Sequence, residues 1–236
     1  MATRFKRALI VGASSGIGRA VAQQLAAQGC QVACVARRAE SLGENTRPYV
    51  HDVTHYDEIP VLFQQICQEL GGLDLIVYAS GVMPSVGAEE FTFEKDKQMV
   101  EVNVLGAIGW LNEAATRFGN TQSGTIVGIG SVAGERGRAP KPVYGATKAF
   151  LDCYLESLRN RLGTRGVRVI TIKPGPTDTP MATEHVGRKL PVKEAARQIL
   201  AAAESGKQIA FVPGMLRFVF TIIRSLPSPI MQRLKK

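Results

Sequence analysis

One stretch limits the folds open to this chain more than any other: Gly12-Ala-Ser-Ser-Gly16-Ile-Gly18, set between an apolar run at 7–11 and an Ala-, Leu- and Gln-rich segment at 19–28 that stops at Gly29. The run reads as a buried strand and the segment as a helix. Glycine lets the backbone between them turn tightly and come close to a bound group. A helix that starts here offers free N–H groups and the positive end of its dipole, which suits a phosphate. Ser14, Ser15 and Ile17 lie in the same loop. Its spacing, Gly-x-x-x-Gly-x-Gly, differs from the commoner Gly-x-Gly-x-x-Gly.

The alternation then continues. Strand-like runs are expected at 31–36, 47–50, 73–78, 124–129, 167–172 and 208–212. Helical segments are expected from an Asp57 cap to about 70, from a Thr92 cap past Asn103 to about 118, at 143–162, and from Pro191 or Val192 to Ser205. Apolar strands alternating with amphipathic helices predict an α/β fold: a single-domain, Rossmann-like, doubly wound parallel sheet of about seven strands with helices on both faces. Ligands of such sheets sit at the carboxyl ends of the strands. The glycine loop, Ser80-Gly81, Ser131 and Pro174-Gly175 all follow predicted strands, so they should share one edge.

Composition narrows the function. With 236 residues, 45% of them hydrophobic, the chain can bury a full core. Glycine, proline and serine are scattered rather than gathered into a linker, so one catalytic and cofactor-binding domain over 1–213 is expected. The apolar and basic tail at 214–236 is not read as an independent domain. The net charge of +9 fits nucleic acid, an anionic cofactor or a membrane surface. Basic residues form no long run and aromatics are only 6%, which argues against nucleic acid. Cys30, Cys34, Cys67 and Cys153 form no Cys-x-x-Cys pair, and His51, His55 and His185 add no metal spacing. Buried reduced thiols and a cytoplasmic location are expected, since no apolar signal region opens the sequence.

Tyr144-Gly-Ala-Thr-Lys148 places a phenol and an ammonium on one helix face, with Ser131 upstream. An ammonium beside a phenol lowers the tyrosine pKa, and a tyrosine so tuned can exchange a proton with a substrate oxygen.

Taken in order, these motifs resemble the short-chain dehydrogenase/reductase family. They are GASSGIG at 12–18, Asp52-Val53, Tyr78-Ala-Ser-Gly81, Asn103-Val-Leu-Gly106, Ser131, Tyr144 with Lys148, and Pro174-Gly175. The resemblance runs from Arg7 to about Val212. It implies an enzyme that moves a hydride between a nicotinamide cofactor and a carbonyl or alcohol. Tyr144 would be general acid or base, and Ser131 would bond the substrate oxygen. Lys148 would lower the Tyr144 pKa and bond the nicotinamide ribose, and Asn103 would hold a water behind Lys148. Asp52 would bond the adenine amino group with Val53 packed on the ring. Ser80 and Gly81 would approach the ribose, and Thr177 the amide or phosphates. The family usually pairs through the helices carrying Asn103 and Tyr144, so a homodimer or homotetramer is expected.

The end of the second strand bears on cofactor choice. An acidic residue about twenty positions past the loop would bond the ribose 2′-hydroxyl of NAD. Here Arg37 and Arg38 occupy that place. Guanidinium groups bind a 2′-phosphate, so NADP(H) is expected over NAD(H), with Glu40 nearby as the opposing feature.

Four departures stand out. The 78–81 turn lacks the family's asparagines, so its support must come from elsewhere. The 39–50 stretch is too short and glycine-broken for the usual helix. The 177–191 loop is short, which predicts an open pocket lined by Met83, Pro84, Val132, Arg136, Pro140, Val143, Met181 and His185. Arg136, Arg138 and Lys141 make its rim positive, suiting an anionic or phosphopantetheine-like substrate. The tail places Arg217, Thr221 and Arg224 on one helical face among large apolar residues, and Lys235 and Lys236 follow. It could lie in a membrane interface, cover the pocket or pack on a second subunit. The leading expectation is an NADPH-dependent carbonyl reductase acting on a small molecule. An alcohol dehydrogenase and a silent NADP(H) sensor on the same fold are the alternatives.

Overall fold

The computed structural model describes residues 3–38, 42–87, 89–183 and 185–233. Seven parallel strands form one sheet in the order β3-β2-β1-β4-β5-β6-β7. They are β1 (Arg7–Val11), β2 (Gln31–Ala36), β3 (Thr46–Val50), β4 (Leu75–Tyr78), β5 (Gly124–Ile129), β6 (Val167–Pro174) and β7 (Ile209–Val212). The order reverses between β1 and β4, which opens a crevice at their carboxyl ends.

Alternation along the strands fills both faces. Ala8 and Ile10 of β1, Val127 and Ile129 of β5, and Ile170 and Ile172 of β6 point to one side. There they meet α1 (Gly16–Ala27) and α6 (Val192–Ser205). Leu9, Val11, Ile126 and Val169 point to the other side. That face is covered by α2 (Ile59–Glu69), α4 (Gly106–Thr121) and α5 (Pro142–Leu162). Fully buried Trp110 and Phe118 of α4 anchor that layer.

Three local expectations are corrected. Asp57 does not cap α2, because a 3-10 turn over Tyr56–Glu58 precedes it. Thr92 holds the N-cap position of α3 (Phe93–Val100), but its hydroxyl donates to Glu90 Oε1 instead of receiving a helix N–H. Cys153 is exposed, whereas Cys30, Cys34 and Cys67 are buried. Burial pushes the Cys30 and Cys34 thiols up to about 12, so they stay neutral.

The segment between α3 and α4 is a π-turn over Glu101–Leu105. This wider turn leaves backbone carbonyls to outside donors. The Tyr78 hydroxyl takes that of Val102 at 2.6 Å. This is the support that the asparagine-free 78–81 turn required. No helix lies between β2 and β3 among the described residues, and Arg47, Pro48 and Val50 of the edge strand are exposed. Glu40 and Ser41 lie outside the described residues. The tail forms α7 (Leu216–Ser225) and α8 (Ser228–Arg233), with Lys235 and Lys236 outside the description.

Candidate active site

The crevice at the switch point is a cleft of about 680 Å³, within the usual range for a ligand site. Its floor is the glycine loop. Gly12 has φ +95°, and a Cβ there would stand 2.5 Å from Ser80 N. A Cβ on Gly18 would stand 2.1 Å from Gly12 O. At Gly12 and Gly18 the loop is therefore pressed against the end of β4 and its own backbone, with no room for a side chain. Gly12 and Ala13 give their N–H groups to Val35 O, and the loop leads into the start of α1, whose first N–H groups suit an anion.

Every residue expected to bind cofactor lines this cleft. Gly12, Ser14, Ser15, Gly16, Ile17 and Gly18 form the floor, and Arg37, Arg38, Asp52 and Val53 one end. Ser80 and Gly81 lie along the middle, and Pro174, Gly175 and Thr177 on the far bank. Burial pushes the Asp52 carboxyl up, yet it sits below its ordinary value. Hydrogen bonds from Thr54 N–H (3.0 Å) and Thr54 Oγ1 (2.9 Å), with the charges of Arg37 and His55, hold it there.

Ser131, Tyr144 and Lys148 line the other end. Ser131 Oγ accepts the Ala133 N–H at 3.1 Å, which caps the short turn after β5 and fixes the hydroxyl. Lys148 is buried and donates to Ile129 O at 2.9 Å. Asn103 does not line the cleft. From the π-turn it accepts the Val82 N–H (2.8 Å) and donates to Val82 O (3.0 Å) and Thr147 Oγ1 (3.1 Å). It thereby ties the chain after β4 to the helix turn that holds Lys148. Gly81 lies against both groups: a Cβ there would stand 3.4 Å from Asn103 Oδ1 and 3.5 Å from Lys148 Nζ, ordinary contact distances.

The expected electrostatics of Tyr144 need correction. Burial raises its pKa, and the Ser131 hydroxyl and Arg138 charge only partly offset this. Lys148 Nζ stands 5.8 Å from the centre of the tyrosine ring, and its hydrogen bond goes to a backbone carbonyl. Burial drives the Lys148 pKa down to about 8, with the charge of Asp152 opposing.

The substrate end also differs in part from expectation. Met83, Val132, Pro140, Met181 and His185 line the cleft, but Pro84, Arg136 and Val143 do not. Arg136 instead clasps the tail, donating to Leu226 O (3.0 Å), Arg224 O (3.3 Å) and Ser228 Oγ (3.4 Å). Several wall residues escaped the sequence reading, Phe220 and Thr179 among them. Phe220 of α7 is buried against the cleft, and Thr179 closes over Gly16. No local pattern marks Phe220, whereas Thr179 sits two positions past the predicted Thr177.

A model of the short chain dehydrogenase family matches residues 6–189, which hold the loop, Asn103, Ser131, Tyr144 and Lys148. The chain belongs to that family. As a short-chain dehydrogenase it is an oxidoreductase. It is 36% identical over 181 residues to an uncharacterized oxidoreductase of Myxococcus xanthus, covering 72% of each chain. It is 31% identical over 218 residues to one of Staphylococcus saprophyticus, covering 86% of this chain and 93% of the relative. A solved short chain dehydrogenase from Burkholderia cenocepacia, in complex with NADP, shares the fold with a TM-score of 0.86 over the whole of both chains at 22% identity. A Streptomyces avermitilis short-chain dehydrogenase superposes with a TM-score of 0.81 at 25% identity, over 92% and 94% of the chains.

Proposed function

We propose that this short-chain dehydrogenase uses NADPH to reduce a ketone or aldehyde, with Tyr144 as the general acid. The observation that carries the reading is the single cleft that joins the glycine floor and the two arginines at one end to Ser131, Tyr144 and Lys148 at the other. The glycine floor fits a dinucleotide, since glycines at 12 and 18 let the loop pack tightly on β4 and lead into the start of α1, where a pyrophosphate meets helix N–H groups. Gly12 to Gly18 would hold the phosphates and Asp52 and Val53 the adenine, while Ser80, Gly81, Pro174, Gly175 and Thr177 would flank the ribose and nicotinamide. The bound nicotinamide supplies the hydride.

The chain's own residues do the rest. Ser131 donates a hydrogen bond to the carbonyl oxygen and holds it beside the phenol. Negative charge growing on that oxygen draws the Tyr144 proton. Tyr144 is protonated at neutral pH, as a general acid must be, although burial weakens it as a donor. Lys148 and Asn103 fix the geometry behind it. The apolar walls, Met83, Val132, Met181 and Phe220, favour a substrate with an apolar body.

Arg37 and Arg38 are exposed at the adenosine end, where a 2′-phosphate would lie. Hydrogen bonds to a charged group are worth roughly 1.5–3 kcal/mol. NADPH oxidation measured against ketones, aldehydes, quinones and acyl thioesters should find turnover, with kcat/KM for NADPH roughly 10–100 times that for NADH. Equal or better efficiency with NADH would overturn the cofactor choice. Reaction only in the oxidation direction would favour an alcohol dehydrogenase.

The tail supports a second, peripheral role. Helix α7 turns Phe220 inward and leaves Phe218, Val219 and Ile222 exposed, as is Met215 just before it, with Arg217 and Arg224 alongside. No helix among the described residues is long and apolar enough to cross a membrane. An exposed apolar face with flanking cations fits an anionic lipid interface. The full chain should float with anionic liposomes, and a chain ending at Gly214 should not. Equal flotation of both would exclude the tail, and a stable dimer without flotation would assign the face to a second subunit. Pairing through the helices that carry Asn103 and Tyr144 is the proposed assembly, and exposed Val100, Leu105 and Phe150 lie on that segment.

A further inference from the structure

We propose that Asp152 is a positioning residue whose carboxylate keeps Lys148 protonated beneath the reacting end of the cleft. The inference rests on the role given to Lys148 above. Asp152 stands one helical turn beyond Lys148 on α5, on the same face. Its Oδ2 lies 3.1 Å from Lys173 Nζ. Its Oδ1 is buried without a hydrogen-bond partner. The surrounding backbone is shaped to admit this carboxylate. A Cβ on Gly130 would sit 2.6 Å from Oδ1, and one on Gly134 would sit 3.1 Å from Oδ2. Those glycines bracket Ser131, so Asp152 is lodged at the joint that carries the substrate-facing hydroxyl.

The charges around it explain the orphaned oxygen. Lys173 of β6 is shared between Asp152 and buried Glu135, with which it makes a close ion pair. Arg224 of α7 reaches Glu135 only at 3.9 Å and is mostly in solvent. Arg159, two turns further along α5, gives its hydrogen bonds to Val169 O, Thr171 Oγ1 and Gln208 O. Two buried carboxylates thus share one buried ammonium, leaving one negative charge in excess. Lys148 is the buried cation that balances it. Among the described residues its hydrogen bond goes to the neutral Ile129 carbonyl, and the charge of Asp152, one turn along the same face, favours its protonated form.

The directions agree with this account. Burial lowers the Lys148 pKa to about 8 while Asp152 raises it. Burial lifts Asp152 to about 6, with Lys173 opposing. Removing the negative charge must therefore lower Lys148 further.

Competitive acetylation of the purified protein with acetic anhydride across a pH series, read by peptide mass spectrometry, follows the titration of Lys148 without any turnover. Asp152→Asn should move its midpoint down by about one pH unit, making Lys148 roughly tenfold more reactive below both midpoints. Asp152→Ser supplies a second neutral variant should the first not fold. Glu135→Gln leaves Lys173 to Asp152 alone and should move the Lys148 midpoint down by less than Asp152→Asn does. An unchanged midpoint in a folded Asp152 variant, or an equal shift in Glu135→Gln, overturns the proposal. Absence of carbonyl reduction would count against the reading of the active site alone, because the labelling curve does not depend on it.

Discussion

Tyr144→Phe should lower turnover by roughly 10²–10⁴-fold, the usual contribution of a positioned general acid. That corresponds to about 3–5 kcal/mol of transition-state stabilisation. The change removes one oxygen and leaves the ring, so packing at the start of α5 should persist. NADPH should bind with nearly unchanged affinity, since the glycine loop, Arg37 and Arg38 lie at the other end of the cleft. Fluorescence titration with NADPH, paired with single-turnover kinetics on a reactive ketone, separates the two effects. Turnover within tenfold of the parent would show that the proton comes from elsewhere. A loss carried mainly by weaker NADPH binding would instead make Tyr144 a cofactor residue.

Gly18→Ala should have the second large effect, and for a different reason. Alanine is the better helix former by about 1 kcal/mol, so a solvent-exposed glycine in a first helical turn would gain from the change. Gly18 is buried, and its added methyl would stand 2.1 Å from Gly12 O and 3.2 Å from the Ala79 side chain. The obstruction is backbone rather than a movable side-chain end. Relief requires α1 to slide away from β1 and β4, which shifts the loop N–H groups. Overpacking of this kind costs roughly 1–3 kcal/mol. Urea unfolding should show that loss, and NADPH affinity should fall by about 100-fold or more because several phosphate contacts move together. Affinity within threefold of the parent would mean that the loop does not cradle the pyrophosphate.

Much of the fold was legible because its signals are local. The boundaries expected for β1, β2 and β5 coincide with the observed strands, and α5 and α6 begin within a residue of expectation. Apolar runs ended by glycine or proline leave little freedom in a parallel sheet. The residues expected to bind cofactor converge on one cleft with Ser131, because most of them follow a strand and the strand ends share one edge, whereas Asn103 lies behind it. What could not be read was long-range. Arg136 looked like pocket rim until the tail came to rest against it, more than eighty residues further along the chain. Phe220 reaches the cleft wall by the same route. The direction of the Tyr144 shift was misread, because sequence spacing shows a neighbouring ammonium but not the burial that outweighs it. The switch from α- to π-geometry at Glu101–Leu105 also left no periodic trace, since the hydrophobic pattern runs across it.

That π-turn carries a consequence for how the chain can change. It amounts to one residue more than a regular helix would use, so deleting a residue there would restore an ordinary helix. Each residue of an α-helix turns the chain by about 100°. The flanks would keep their facing, because an α-turn closes over them in place of the π-turn, but a residue inside the turn would change direction by up to that angle. Asn103 would swing away from Val82 and Thr147, and Val102 from the Tyr78 hydroxyl. Substitutions that keep the count can preserve these contacts, but a deletion cannot. At this point the helix is constrained in its length more than in its composition. The edge between β2 and β3, which has no packed helix among its described residues, is where the same chain can gain or lose residues at small cost.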